Sequence, residues 1–197
     1  MDFPLYLAMV FTISLSGVLS PGPLFAATLS EGLKNPFSGF KISAGHAIVE
    51  IPLIISLYFA GFHVTENLKA VIALVGGLFL LYLSYEEFKS KTDSERKVRG
   101  TMTGIILTAL NPYFIMWWLT VGFSLISLSY EFGSIGLVLF VLVHESADFG
   151  WLGFVSFASH RLSKYAGLKR KLEIFSASIF AIFGVYFVTN SVLYFIS

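Results

Sequence analysis

The chain has 197 residues, of which 56% are hydrophobic and only 13% charged, with no cysteine and a formal net charge of +1. A mean hydropathy of +0.79 excludes an ordinary soluble domain and points to a membrane protein. The absence of cysteine excludes disulfides, thiolate metal sites and thiol chemistry, and no nucleic-acid partner is expected.

In chain order, residues 3–30 form a charge-free stretch with no Lys or Arg before it and no small-residue cleavage site. It is therefore expected to be a first membrane helix and not a removable signal peptide. Pro4 suits a helix start, and Ser20-Pro21-Gly22-Pro23 interrupts the run. Residues 42–62 form a second span carrying His46, Glu50 and Pro52, the proline read as a simple kink. Residues 68–85 form a shorter third, with Lys69 placed to snorkel and Gly76-Gly77 and Ser84 suited to close helix packing. Residues 86–100, EEFKSKTDSERKVRG, mix both charge signs and read as a solvated hinge.

Residues 101–130 make a fourth span, broken by Asn111-Pro112 and followed by Trp117-Trp118. Residues 132–159 make a fifth around His144-Glu145-Ser146-Ala147-Asp148, and residues 174–197 a sixth. A hydrocarbon core needs roughly 20 helical residues, so the expected fold is an all-α integral membrane protein of six transmembrane helices. Twelve of the thirteen basic residues lie in the odd-numbered connections, at Lys34, Lys41, Lys89, Lys91, Arg96, Lys97, Arg99, Arg161, Lys164, Lys169, Arg170 and Lys171. The positive-inside rule then places both termini outside, in a multi-pass protein of the plasma (inner) membrane.

His46 and Glu50 stand four apart after one helix breaker, and His144 and Asp148 four apart after another. Three spans per half reverse the direction of the second half, so the pattern predicts two inverted three-helix repeats, residues 1–85 and 101–197, joined by a cytoplasmic connection at 86–100. At about 100° per residue, His144, Asp148 and Glu145 share one helical face, as do His46 and Glu50. A carboxylate at mid-bilayer costs about 2.5–3.5 kcal/mol on insertion scales, so these groups must be paired, protonated or hydrated. Desolvation disfavours the charged form of an ionisable group, and a carboxyl so placed can load and release a proton as its surroundings open to either side. Glu50 and Asp148 are the first candidates for proton coupling, with His46 and His144 as partners; Glu145 lies at the edge of the arc. A buried clasp tying helices together is the alternative reading of the same groups.

Pro21, Pro23 and Pro112 remove backbone donors and displace carbonyls that lipid cannot satisfy. The broken segments must face protein, water or solute. Asn111 adds an amide and Gly22 allows close backbone approach, so Ser20, Pro21, Gly22, Pro23, Asn111 and Pro112 join the candidate solute site, a passive kink being the equal alternative for the stretch from Ser20 to Pro23. Trp117 and Trp118 read first as an aromatic belt at the outer interface, and second as a cation-binding face for an ammonium solute, Trp117 being the candidate. HESAD lacks the second histidine of a zinc-protease helix, and no phosphate-binding Gly-x-x-x-x-Gly-Lys loop occurs. No enzyme activity, cofactor or resident metal is expected.

The stretches LSPGPLFAATLSEGLKNPFSGFKISAGHAIVE, VGGLFLLYLSYEEFK and TGIILTALNPYFIMWW, across residues 19–118, resemble the lysine exporter and homoserine-threonine efflux (LysE/RhtB) superfamily. The resemblance implies a six-helix secondary carrier exporting amino acids or related small solutes in exchange for protons. The family's Pro-Gly-Pro falls on Pro21, Gly22 and Pro23, its acidic position in the second helix on Glu50, and its Asn-Pro on Asn111 and Pro112. Many members carry Asp where this chain has Glu50, and His46 and the Trp117-Trp118 pair are not general family features. The expected partners are thus a small solute, protons and the lipid bilayer, a homodimer being the assembly allowed for. A divalent metal-ion exporter using His46, Glu50, His144, Glu145 and Asp148 is the alternative.

Overall fold

The computed structural model describes residues 2–60, 65–89 and 100–196. Most of the mixed-charge connection expected at 86–100, including Lys91, Arg96, Lys97 and Arg99, lies outside the described residues, as does the side chain of Lys69. Among the described residues there is helix and no strand.

The chain starts with α1 (Phe3–Val18), whose first turn is closed by the Asp2 carboxylate accepting from Leu5 N–H at 2.9 Å, with Pro4 inside that turn. The helix ends before the Ser20-Pro21-Gly22 stretch. Gly22 is extended at φ −112° and ψ −169°, and α2 (Pro23–Gly32) restarts on a proline whose missing N–H is no loss at a first helical position. The two helices meet at 76°. Next come α3 (Ser38–Ala60), which continues through Pro52, and α4 (Glu66–Lys89).

A second break follows later in the chain. α5 (Thr101–Ala109) ends just before Asn111, and α6 (Pro112–Trp117) begins on Pro112. The Asn111 side-chain oxygen accepts from Tyr113 N–H at 3.0 Å, so the amide caps the new helix. A π-helical turn at Trp118–Gly122 leads into α7 (Phe123–Ser129) and a 3₁₀ turn at Tyr130–Phe132. Gly133, at φ 57°, then turns the chain into α8 (Gly133–Leu162), a conformation only glycine adopts without strain. The last helix is α9 (Ala166–Ile196).

Among the described residues, four helical runs are long and apolar enough to cross a membrane: Ser38–Phe59, Glu66–Tyr85, Pro112–Leu162 and Arg170–Ile196. The bent pair α1 and α2 makes a fifth when counted as one span. The count therefore stands at four to five, against the six expected. The reason is local: α5 is only nine residues long, and the run from Pro112 onward passes as one stretch of 51 residues.

Two apolar clusters hold the bundle. One joins α1, α3, α7 and α8 through Tyr6, Val10, Ile54, Leu57, Ile126 and Phe140. The other joins α2, α4, α5 and α9 through Ala26, Ala73, Leu80, Leu107, Phe180 and Phe187. Because lipid gives helices no hydrophobic reason to associate, close backbone approach and interhelical hydrogen bonds carry more of the contact. At the α3–α5 crossing a Cβ on Gly45 would stand 2.0 Å from the Thr101 carbonyl oxygen, and one on Gly104 2.1 Å from that of Ile42. Serines reach across elsewhere: Ser84 donates to the Ala177 carbonyl at 2.9 Å, Ser176 to Ala26 at 3.0 Å, and Ser43 to Asp148 at 3.3 Å. The last of these locks α3 to α8 at the level of the ionisable groups.

Candidate functional site

The two histidine–acid pairs meet. On α3 the i, i+4 spacing sets His46 Nε2 3.0 Å from Glu50 Oε1, and on α8 the same spacing sets His144 Nε2 3.4 Å from Asp148 Oδ2. Packing of α3 on α8 crosses the pairs, with His144 Nε2 3.4 Å from Glu50 Oε1 and His46 Nε2 3.9 Å from Asp148 Oδ1. All four side chains are buried, Glu50 at 2% exposure. A carboxylate in such surroundings must be met by donors, and the Trp118 indole N–H supplies one to Glu50 Oε1 at 2.9 Å. The other Glu50 oxygen, Oε2, is buried with no hydrogen-bond partner.

Each ring is also held from behind. His46 Nδ1 lies 2.8 Å from Thr108 Oγ1 on α5, and His144 Nδ1 lies 2.7 Å from Ser14 Oγ on α1. The rings are packed by aromatic side chains as well, His144 stacked on Phe140 at 7° and His46 edge-on to Phe114.

A cavity of about 160 Å³ opens beside this cluster. His46, Glu50, His144 and Asp148 form one part of its wall, and the broken segments form another through Ser20, Gly22, Pro23 and Asn111. Trp117 closes a third side, its ring lying so near α1 that a Cβ on Gly17 would stand 3.1 Å from it. Nine of the twelve candidate residues therefore line one cavity: Ser20, Gly22, Pro23, His46, Glu50, Asn111, Trp117, His144 and Asp148.

Three candidates are placed apart from the wall. Pro21 is exposed at the break. Pro112 lines a second cavity of about 350 Å³ between α4, α6 and α9. Glu145 is buried at 8% exposure with neither carboxylate oxygen hydrogen-bonded, and it is not part of the cavity wall. The outer-belt reading of the tryptophans is corrected for Trp118, which is wholly buried and bonded to Glu50. It packs in the cluster formed by α1, α3, α7 and α8, at the start of the π-helical turn. Ser14 and Thr108 were not among the residues expected from sequence. A lone hydroxyl in an apolar span was the available signal, but many such hydroxyls here, such as Thr12 and Ser124, only bond the carbonyl four residues back.

A family model described as LysE type translocator matches residues 15–191. The chain belongs to that family. Comparisons with curated proteins and with solved structures give no significant match. As a LysE type translocator the chain is a multi-pass membrane transporter, of a family that points to export of amino acids or other small solutes. The matched region takes in both broken segments, both histidine–acid pairs and the cavity between them.

Proposed function

We propose that this LysE type translocator exports amino acids or related small solutes by exchange for protons, with the site opening alternately to each side of the membrane. The observation that carries this reading is a cavity whose wall contains residues of both helix breaks and of both histidine–acid pairs. An apolar cavity of about 150 Å³ admits a molecule the size of benzene, so the volume suits a small solute. Broken helices offer it free backbone groups, while Glu50 and Asp148 offer negative charge and Trp117 an aromatic face for an ammonium group. A carboxylate pair that can hold either a proton or an ammonium group, but not both, makes the two ligands compete. Competition at a site that faces one side at a time is exchange.

The topology proposed is six spans in two inverted halves, residues 1–85 and 101–197, in one membrane domain. The 51-residue run divides at Gly133, and α5 with α6 and α7 forms the broken counterpart of α1 with α2. Contacts support the repeat: α1 packs on α8 as α5 packs on α3, and α4 packs on α9. The described ends support the orientation. At one end Tyr130 donates to the Tyr58 carbonyl at 2.7 Å and Tyr194 to Asn67 at 2.6 Å. At the other lie exposed Lys34, Lys41, Arg161 and Lys164, and there the Glu31 carboxylate accepts from the Gly100 N–H at 2.9 Å and from the Thr103 hydroxyl. We place the second end in the cytoplasm of the cell and the protein in the plasma membrane.

A second reading is favoured by one observation, that ligand atoms of His46, Glu50 and Asp148 lie within 4.8 Å of one another, a spacing that a first-row divalent cation could bridge as cargo. One experiment separates the readings. Purified protein in liposomes is given an imposed pH difference and each radiolabelled amino acid in turn, with a zinc-sensitive dye inside a parallel batch. Uphill movement of an amino acid that Glu50→Gln and Asp148→Asn both abolish supports proton exchange; coupled transport intact in both variants overturns it. Zinc flux without amino-acid flux selects the metal reading.

A further inference from the structure

The two imidazoles at the centre are each held by a hydroxyl from the opposite half of the chain. Ser14 of α1 reaches His144 of α8, and Thr108 of α5 reaches His46 of α3, with Oγ to Nδ1 distances of 2.7 and 2.8 Å. Both hydroxyls are sealed from solvent, Ser14 at 0% and Thr108 at 2% exposure. The far nitrogens of the two rings converge on one atom, Glu50 Oε1, at 3.4 and 3.0 Å. That oxygen also takes the Trp118 indole N–H at 2.9 Å. An indole nitrogen can only donate, so Oε1 is an acceptor in this arrangement, and a ring nitrogen beside it makes a hydrogen bond only by carrying a proton. Which ring nitrogen is protonated is set by the partner of the other one. A hydroxyl can fill either role, so Ser14 and Thr108 are free to donate.

We propose that Ser14 and Thr108 are positioning residues: each donates its hydroxyl proton to Nδ1 of the imidazole in the other half, keeping the ring proton of His144 and His46 on Nε2 and both rings turned toward Glu50. Ser14 lies in the helix that ends at the first break, and Thr108 in the helix that ends at the second. A shift of either broken segment therefore turns a ring that belongs to the opposite half. The consequence for transport rests on the carrier reading, whereas the assignment of the ring proton does not.

The test uses full-length protein labelled with ¹⁵N-histidine in lipid nanodiscs, the two ring signals assigned by their loss in His46→Gln and His144→Gln. The neutral rings are expected to carry their proton on Nε2. Ser14→Ala should convert His144 to a mixture of the two ring forms and leave His46 unchanged, and Thr108→Val should do the reverse. Ser14→Thr and Thr108→Ser, which keep the hydroxyl, should restore the wild-type spectrum. In liposomes the Ala and Val variants should lose about 10-fold in maximal rate, in line with one lost hydrogen bond, with KM little changed and the hydroxyl-retaining variants near wild type. Neutral rings with the proton on Nδ1, or a His144 spectrum indifferent to Ser14→Ala, would overturn the proposal. If Ser14→Ala does not fold, the wild-type spectrum and Ser14→Thr decide the matter by the same criterion. The expected spectra in a protein that moves no amino acid would remove the carrier reading and leave the ring assignment standing.

Discussion

Glu50 Oε1 is the atom on which the centre closes, because Trp118, His46 and His144 all bring a nitrogen within 3.4 Å of it. Its partner oxygen is buried with no hydrogen bond, so the donors to Oε1 carry the compensation of the charge. Removing a single donor to a charged group costs about 1.5–3 kcal/mol. Trp118→Phe keeps the packing of a wholly buried ring and deletes only the indole N–H. Transport by this variant is expected to fall by roughly one to two powers of ten, while its melting temperature in detergent shifts by much less than that of Trp118→Ala, which also empties the core. Equal transport by Trp118→Phe and wild type would show that the indole only fills space.

At the scale of the element, two helix restarts shape the site. Pro23 and Pro112 each open a helix at a first position, and only the second is capped by a side chain, Asn111. Asn111→Ala should cost about 1 kcal/mol through the lost cap, seen as a lower melting temperature, and Asn111→Asp should restore it. The α3–α5 crossing is stricter. A Cβ on Gly104 would fall 2.1 Å from the Ile42 carbonyl oxygen and 2.9 Å from the His46 backbone nitrogen, so Gly104→Val must push α5 off α3. Overpacking costs about 1–3 kcal/mol, and because Thr108 rides on α5 the same substitution is expected to abolish transport. Recovery of wild-type stability and activity in Gly104→Val would contradict this crossing.

For the whole molecule the proposed orientation is open to a direct measurement, since the chain has no cysteine of its own. Cysteine introduced at Ser134, exposed at the start of α8, should react with an impermeant maleimide in intact cells. Cysteine at Lys164, exposed beyond the end of α8, should react only after the cells are opened. The opposite pattern would invert the protein in the membrane. Labelling of both sites in intact cells would mean that α8 does not span, and the six-span topology would fail.

Much of this was legible in the residues themselves. Periodicity and insertion cost are local properties, so the i, i+4 pairing of His46 with Glu50 and of His144 with Asp148, and the breaks at Ser20-Pro21-Gly22-Pro23 and Asn111-Pro112, follow from spacing and from the chemistry of proline. What periodicity cannot say is which helices touch. Tertiary packing decided that both pairs share one acceptor, that Trp118 is an internal donor and not part of an interfacial belt, that Glu145 stands behind the cavity wall, and that Ser14 and Thr108 hold the rings. The physical reason is that a helical wheel defines a face, whereas the partner of that face is chosen by close backbone approach at small residues such as Gly45 and Gly104, between segments that sequence spacing does not relate.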